Sequence, residues 1–270
     1  MNEMRNMAAA CLMAAEPDEK LMRVRELVRL YARGDVQIDP GIPSATLTAP
    51  GRPEKPELVR ANKMPRRGFG SVEGRAIMMH AIAHIEFNAI NLALDAIQRF
   101  PDMPSDYYKD WLQVAAEEAY HFELVRAHLR HLGGEYGDYV AHGGLWEMCE
   151  KTDADVLQRM ALVPRVLEAR GLDVTPGIQK KLAQAGDHHA VSILDIIFRD
   201  EINHVAIGNR WYRYCCDQRG LDTESTFAVL LAEFYPKGLM GPYNMLARQQ
   251  AGFTDSELAL LNQPSSKLKT

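Results

Sequence analysis

Apolar residues recur at helical spacing along most of the chain, and no segment keeps the strict alternation of a β-strand. In residues 17–32, Leu21, Val24 and Leu27 share one side of a predicted helix. Residues 33–70 have no period and are rich in Gly, Pro and Thr, which predicts an extended arm. The pattern therefore predicts an all-α protein.

Capping residues, prolines and glycines divide the next 150 residues into four long helices. Their predicted limits are Ser71 to Phe100, after Ser105 to Leu132, after Thr152 to near Gly171, and Thr175 to about Arg219. Pro164 is expected to kink the third helix, because proline removes a backbone hydrogen bond and clashes with the preceding turn. Gly186 is a candidate break within the fourth helix.

The predicted connections favour one topology. About five residues join helices one and two, and about five join helices three and four, whereas about twenty separate the two pairs. Short links make antiparallel neighbours, so we predict a ferritin-like four-helix bundle with one long crossover. The predicted division is an N-terminal helix and arm (1–70), the bundle (71–220) and a C-terminal extension of short helices packed on it (221–270). In that extension, Thr254 and Glu257 form a capping-box signature.

Composition narrows the class of protein. The net charge is −5 with a pI near 6.0, which disfavours a general nucleic-acid partner. No uninterrupted apolar stretch reaches the roughly 18 residues needed to span a bilayer. The four cysteines form no CxxC pair, which indicates a reducing cytoplasm. The first twenty residues weakly imitate a signal peptide, but Glu3 stands in the region that should be basic, so we expect a leading amphipathic helix.

Two Glu-x-x-His motifs lie near the middle of apolar helices: Glu118 with His121, and Glu201 with His204. Residues three apart on a helix are neighbours on its surface, so each pair can bind one ion. One such motif is weak evidence, because it arises often by chance. Two copies in matching helices predict a dimetal carboxylate site.

Such a site needs one more glutamate from each remaining helix. Glu86 is the only acid between Glu73 and Asp95, and Glu168 is the candidate on the third helix. The interval from Glu86 to Glu118 is 118 − 86 = 32 residues, and that from Glu168 to Glu201 is 201 − 168 = 33 residues. Glu168 lies near the predicted end of its helix, so Glu147 stays open as the alternative ligand.

Charge and ligand chemistry agree with two divalent metal ions. Four carboxylates balance two such ions, and neutral histidines add no charge. Mixed carboxylate and imidazole ligands favour iron, with manganese or a mixed pair as alternatives. A ligating histidine usually donates its second N–H to a carboxylate. We therefore expect Asp200 to support His121, and Glu117 to support His204, from the opposing helix.

Four stretches carry a resemblance to a known family: RGFGSVEGRAIMMHAIAHIEFNAINLALDAI, AAEEAYHFELVRAHL, GLWEMCEKTDADVLQRMALVPRVLEARGLDVTP and ILDIIFRDEINHVAIGNRWYRY. The chain resembles the ferritin-like superfamily and, within it, the bacterial family catalogued as domain of unknown function 455. The resemblance implies a four-helix fold with a dinuclear site, but it supplies no reaction. The implied metal ligands are Glu86, Glu118, His121, Glu168, Glu201 and His204. A more distant similarity to hydroxylases of tRNA bases or quinones favours oxygen chemistry by analogy.

Ordinary structural roles are the expectation for the other conspicuous residues. They comprise core or interface histidines (His80, His84), a solvated helix start (His188, His189), surface arginines (Arg165, Arg170, Arg199) and core aromatics (Trp211, Tyr212, Tyr214). The basic cluster before the first long helix is the one feature that suits a phosphate-bearing substrate such as tRNA. Its members are Arg60, Lys63, Arg66 and Arg67.

The leading functional hypothesis is an O₂-activating di-iron oxidoreductase, of the hydroxylase kind, acting on a small molecule. The alternative is iron or manganese handling: ferroxidase and storage, or a peroxide-consuming site. A helical interaction protein without metal is the third reading. The sequence identifies no electron donor, predicts no membrane partner and is compatible with a homodimer.

Overall fold

The structure, a computed structural model, describes residues 2–42, 49–64 and 68–261. Regular structure in that part is almost entirely helical, which confirms the all-α prediction. The sheet found among these residues consists of two parallel two-residue strands, β1 (Asn2–Glu3) and β2 (Val36–Gln37).

The chain divides into two compact units. The first contains Met1–Glu150 and Leu182–Ile193, and the second contains Lys151–Lys181 and Leu194–Thr270. This division is based on which residues are packed together. The predicted boundaries at residues 70 and 220 were based on capping residues, prolines and glycines in the sequence. The predicted three-part division therefore stays a prediction.

The first unit opens with helices α1 (Met4–Met13) and α2 (Pro17–Ala32), so a leading helix is present as expected. Lys20 of α2 is completely buried. Its Nζ donates to the carbonyl oxygens of Cys11 (3.1 Å) and Leu12 (2.7 Å) at the end of α1. Lys20 thus adds a donor at the helix end, where the Cys11 carbonyl also accepts from the Ala14 N–H (3.2 Å) and the Leu12 carbonyl from the Gly51 N–H (3.0 Å).

Helices α3 (Val72–Arg99) and α4 (Ser105–His131) match the predicted first two helices within about a residue. Ser71 is the N-cap of α3, and its Oγ accepts from the backbone N–H of Gly74 at 3.0 Å. Phe100 to Pro104 form the short link, so the two helices are an antiparallel hairpin.

Among the described residues, α3 is long and apolar enough to cross a membrane. However, 83% of its most apolar window is buried inside the protein. Burial of this kind is typical of a core helix in a globular fold.

The extended arm and the crossover are tied together by backbone bonds. Val59 N–H donates to the Ala141 carbonyl (2.8 Å), and Ala141 N–H donates to the Glu57 carbonyl (2.9 Å). The crossover contains a short helix, α5 (Gly144–Lys151).

The predicted third helix consists of three consecutive parts: α6 (Val156–Leu162), a π-helical segment (Val163–Glu168) and α7 (Ala169–Gln184). A disturbance at Pro164 was expected, and it takes the form of the π-helical segment. The predicted end near Gly171 is wrong, because α7 continues past it for more than three turns.

The predicted helix start at Thr175 and Pro176 is also wrong, since Pro176 lies inside α7. Proline has no N–H to offer the carbonyl four residues earlier, which belongs to Leu172. In the structure that carbonyl accepts from the side-chain amide of Asn244 at 3.2 Å. A distant residue thus replaces the missing bond.

The break falls at Gly186, the candidate noted in the sequence. Gly186 adopts φ +78°, a left-handed conformation that glycine takes without steric cost. Helix α8 (His188–Gln218) then begins, with Asp187 Oδ1 accepting from the Ala190 N–H at 3.1 Å. The last two predicted long helices therefore meet about ten residues later than expected.

The chain ends with α9 (Thr223–Phe234), α10 (Met245–Gln250) and α11 (Asp255–Leu261). The predicted capping box is present: Thr254 Oγ1 accepts from Glu257 N–H at 3.1 Å, and Glu257 Oε2 accepts from Thr254 N–H at 2.9 Å.

Arg165, expected at the surface, is completely buried and forms an ion pair with Glu257. Its guanidinium lies over the rings of Tyr212 (4.1 Å) and Phe227 (4.0 Å). The prediction is wrong because its partner lies 92 residues away along the chain.

Candidate metal centre

The α3–α4 hairpin brings two glutamates and a histidine together in the core of the first unit. His121 Nδ1 lies 3.4 Å from an oxygen of Glu86 and 3.4 Å from an oxygen of Glu118. Glu118 and His121 are fully buried, and Glu86 is 3% exposed. Each residue offers one ligand atom, and these atoms lie within 4.8 Å of one another. We call these three residues the first ligand set.

The electrostatics of the first ligand set favour a positive charge. Burial, and then the negative charge of Glu118, raise the pKa of Glu86 to about 7. Burial lowers the pKa of His121, but hydrogen bonds and charges from Glu118 and Glu86 raise it overall to about 12. Two buried carboxylates thus share one imidazole, an arrangement that could hold a metal ion.

The second unit contains Glu168, Glu201 and His204, which we call the second ligand set. His204 is fully buried, and its Nδ1 lies 3.8 Å from an oxygen of Glu201, whose side chain is 12% exposed. Glu168 is the last residue of the π-helical segment. π-Helical turns occur frequently at functional sites.

Packing within the second unit shows where Glu168 lies along the helix axis relative to His204 on the neighbouring helix. A Cβ added to Gly208 of α8 would lie 2.3 Å from Cβ of Pro164, so the two helices touch there. They run antiparallel, because Gln179 and Asp195, near the break, are hydrogen-bonded at 2.7 Å. Glu168 comes four residues after Pro164, and His204 comes four residues before Gly208. Glu168 and His204 are therefore at the same level, as Glu86 and His121 are in the first unit.

Glu147, the alternative to Glu168, is exposed on α5. It lines a cavity together with His84 and Asn88, on the side of α3 away from Glu86. This position gives Glu147 no part in the first ligand set. Because α7 continues past Gly171, Glu168 is not at the end of a helix as the sequence had suggested, and its role as a ligand stays a prediction.

Comparison with known proteins identifies the family. The model for the family described as Protein of unknown function (DUF455) matches residues 13–259. The chain belongs to this family. A protein of Haemophilus influenzae described as uncharacterized is 52% identical over 225 residues, which are 81% of this chain and 78% of that relative. No solved structure matches the chain.

Membership of the DUF455 family confirms one part of the predicted resemblance, while the ferritin-like relationship stays a prediction. Neither description states an activity. The chemistry of this DUF455 protein therefore rests on the residues of its two ligand sets.

The two acids next to the motifs have local partners. Asp200 accepts from Nε of the exposed Arg199 at 2.9 Å, and Glu117 accepts from Nε2 of Gln113 at 3.0 Å. Support of His121 by Asp200, and of His204 by Glu117, stays a prediction. Ile85, which precedes Glu86 on α3, is 46% exposed.

The remaining histidines of α3 have structural roles. His80 is fully buried, and its Nε2 accepts from the backbone N–H of Gly137 at 3.0 Å. His84 contacts the Tyr136 hydroxyl through Nδ1 at 3.0 Å. Both agree with the expected core or interface function.

The predicted basic cluster lies just before α3. Arg60 and Lys63 are exposed, whereas Arg66 and Arg67 lie outside the described residues. A phosphate-bearing substrate stays a prediction from sequence.

Proposed function

We propose that this protein holds two metal ions, iron in preference to manganese or a mixed pair, and is an O₂-activating oxidoreductase of the hydroxylase kind. The proposed ligands are the six residues of the two ligand sets. The observation that carries the proposal is the matched arrangement of the sets: in each helix pair, one glutamate is level with the histidine of a Glu-x-x-His motif.

The charge of the residues supports this assignment. Four carboxylates and two divalent ions form a neutral group, which lowers the cost of burying either the acids or the ions. Binding requires Glu86 to be ionised, although burial and Glu118 raise its pKa. Metal uptake therefore releases a proton from this site.

The chain's own contribution is to orient ligands and exclude water. Glu118 and His121 are held one turn apart on α4, and Glu201 and His204 are held in the same way on α8. Complete burial of both histidines keeps their ring nitrogens away from bulk water. When bound, a pair of iron ions supplies the reduction of O₂, and the protein supplies the geometry and the dry surroundings.

Paired variants test the ligand assignment. Glu168→Gln should lose most of the metal bound by the wild type, because it removes a charged ligand. Glu147→Gln, an equally conservative change on the crossover helix α5, should keep full occupancy. Metal analysis of proteins purified without chelators measures both. Loss of metal in Glu147→Gln with retention in Glu168→Gln would reverse the assignment.

Iron handling is the competing function, and iron loading separates the two. The enzyme proposal predicts that excess ferrous iron and oxygen leave about two ions per chain. Retention of hundreds of ions per assembly would favour storage and contradict an enzyme role.

A further inference from the structure

A cavity of about 270 Å³ lies in the first unit, beside α3. Its walls come from the arm (Ala49–Leu58), one face of α3, the crossover around Tyr136 and the helix α5. Asn88 on its wall is two residues from Glu86, which places them about 200° apart around α3. The cavity is therefore separate from the metal centre.

A hydrogen-bond network holds the α3 wall of this cavity. His84 Nδ1 contacts the Tyr136 hydroxyl at 3.0 Å, and His84 Nε2 lies 3.3 Å from the His142 carbonyl oxygen. The side-chain amide of Asn88 donates to the His84 carbonyl at 2.7 Å. With its N–H group engaged, Asn88 can offer a ligand its carbonyl oxygen.

Asn91, one turn further along α3, supplies the observation that points to a ligand. Its side chain lines the cavity, and the residue is 1% exposed. Its Oδ1 has no hydrogen-bond partner among the described residues. A buried acceptor without a partner costs free energy, and a ligand that donates an N–H would recover it.

Charges near the cavity favour a cation. Glu147 and Glu150, both on α5 and both exposed, contribute two carboxylates to its lining. Arg52 on the arm contributes one guanidinium. The balance is one net negative charge, which attracts a cationic group and disfavours an anion.

Aromatic side chains complete the lining. Phe87, Tyr136 and Trp146 all border the cavity, and the ring centroids of Phe87 and Tyr136 are 5.5 Å apart. Aromatic faces attract organic cations and pack against planar rings. Amide oxygens, carboxylates and aromatic rings together are the groups that recognise a protonated arylalkylamine.

We propose that this cavity is a binding site for a small arylalkylamine (an aromatic ring joined to an ammonium group by a short alkyl chain). The ammonium group donates to the side-chain oxygens of Asn88 and Asn91. The ring of the ligand packs among Phe87, Tyr136 and Trp146. The site is independent of the proposed metal centre, because it shares no residue with either ligand set.

Calorimetric titration of the full chain with 2-phenylethylamine tests the proposal. We expect saturable binding with a Kd below about 1 mM. The neutral analogue 2-phenylethanol should bind at least tenfold more weakly, and 3-phenylpropanoate should not bind. No saturable binding of the amine, or equal affinity for the anion, would overturn the proposal.

Variants localise the binding. Asn91→Leu removes the unpartnered acceptor while keeping the volume, and should weaken amine binding about tenfold or more. Glu147 is exposed, so Glu147→Gln should leave the fold undisturbed, and it should weaken amine binding severalfold. Glu54→Gln, an exposed acid on the same arm outside the cavity lining, should bind like the wild type. Unchanged affinity in Asn91→Leu and Glu147→Gln would place the amine elsewhere and refute the site. Because Glu147→Gln should retain its metal, loss of amine binding there is distinguishable from failure of the metal proposal.

Discussion

Buried carboxylates have contrasting surroundings in the part of the chain that the structure describes. Glu257 and Asp173 each contact two arginines, a buried one and a more exposed one at 3.6 Å. In the first ligand set, two carboxylates instead lie around one imidazole. That arrangement could hold a metal ion, which would add positive charge beside both acids.

Lys20 predicts a pH-dependent stability. Burial is the main cause that lowers the pKa of Lys20 from 10.5 to about 7 in the folded state. Between pH 7 and 10.5 the unfolded chain therefore binds a proton that the folded chain does not, so stability from this group rises with pH. The slope should be at most about 1.4 kcal/mol per pH unit, and it should vanish below pH 7.

Denaturant unfolding of Lys20→Met between pH 6 and 9 checks this prediction. The wild type should gain stability relative to the variant as the pH rises above 7. Lys109→Met, at an exposed position on α4, should show a difference from the wild type that does not change with pH. A constant difference for Lys20→Met would show that Lys20 keeps its ordinary pKa in the folded protein.

The buried Arg165–Glu257 pair predicts a large loss of stability when one partner is neutralised. Glu257→Gln keeps the capping-box acceptor but leaves the guanidinium unpaired, and should cost about 3 kcal/mol in the free energy of unfolding. The double variant Arg165→Met/Glu257→Leu should recover part of that loss. Glu233→Gln, exposed on α9, should change stability by less than about 0.5 kcal/mol. Equal stability of Glu257→Gln and Glu233→Gln would contradict the buried pair.

Elements bounded by local signals could be predicted from sequence, and elements decided by distant contacts could not. Ser71 caps the start of α3 with its side-chain hydroxyl, and Pro101, which cannot continue a helix, follows its end, so the predicted limits were correct. Pro176 carries the same kind of local signal, yet α7 runs through it because Asn244 satisfies the Leu172 carbonyl. The sequence separation of 72 residues hides this contact from any local pattern.

Two glycines of the second unit should respond in opposite ways to replacement by alanine, because only Gly208 lies at the close contact between the π-helical segment and α8. Gly208→Ala would force its Cβ against Pro164 and should destabilise the protein by about 1–3 kcal/mol. Gly177→Ala lies in α7 with no atom within 4 Å of the added Cβ, and should stabilise by about 0.5–1 kcal/mol. Thermal unfolding of both variants measures this. A neutral or stabilising Gly208→Ala would contradict the close approach at Pro164.

At the scale of the whole molecule, the duplicated motif is the observation that predicts the ligand residues, and the assignment stays a prediction. The intervals from Glu86 to Glu118 and from Glu168 to Glu201 are nearly equal. In two antiparallel helix pairs, such intervals place the two glutamates of each pair side by side. The amine cavity could not be predicted, because its walls combine the arm, α3 and the crossover, which no sequence period connects. Arg165 was missed for the same reason.

The metal content of the wild-type chain tests the central claim most directly. The protein should be purified without chelators and analysed by inductively coupled plasma mass spectrometry against its concentration. The account predicts about two iron or manganese ions per chain, one for each Glu-x-x-His motif. A chain that is folded and carries no transition metal, even after anaerobic incubation with ferrous iron, would contradict it.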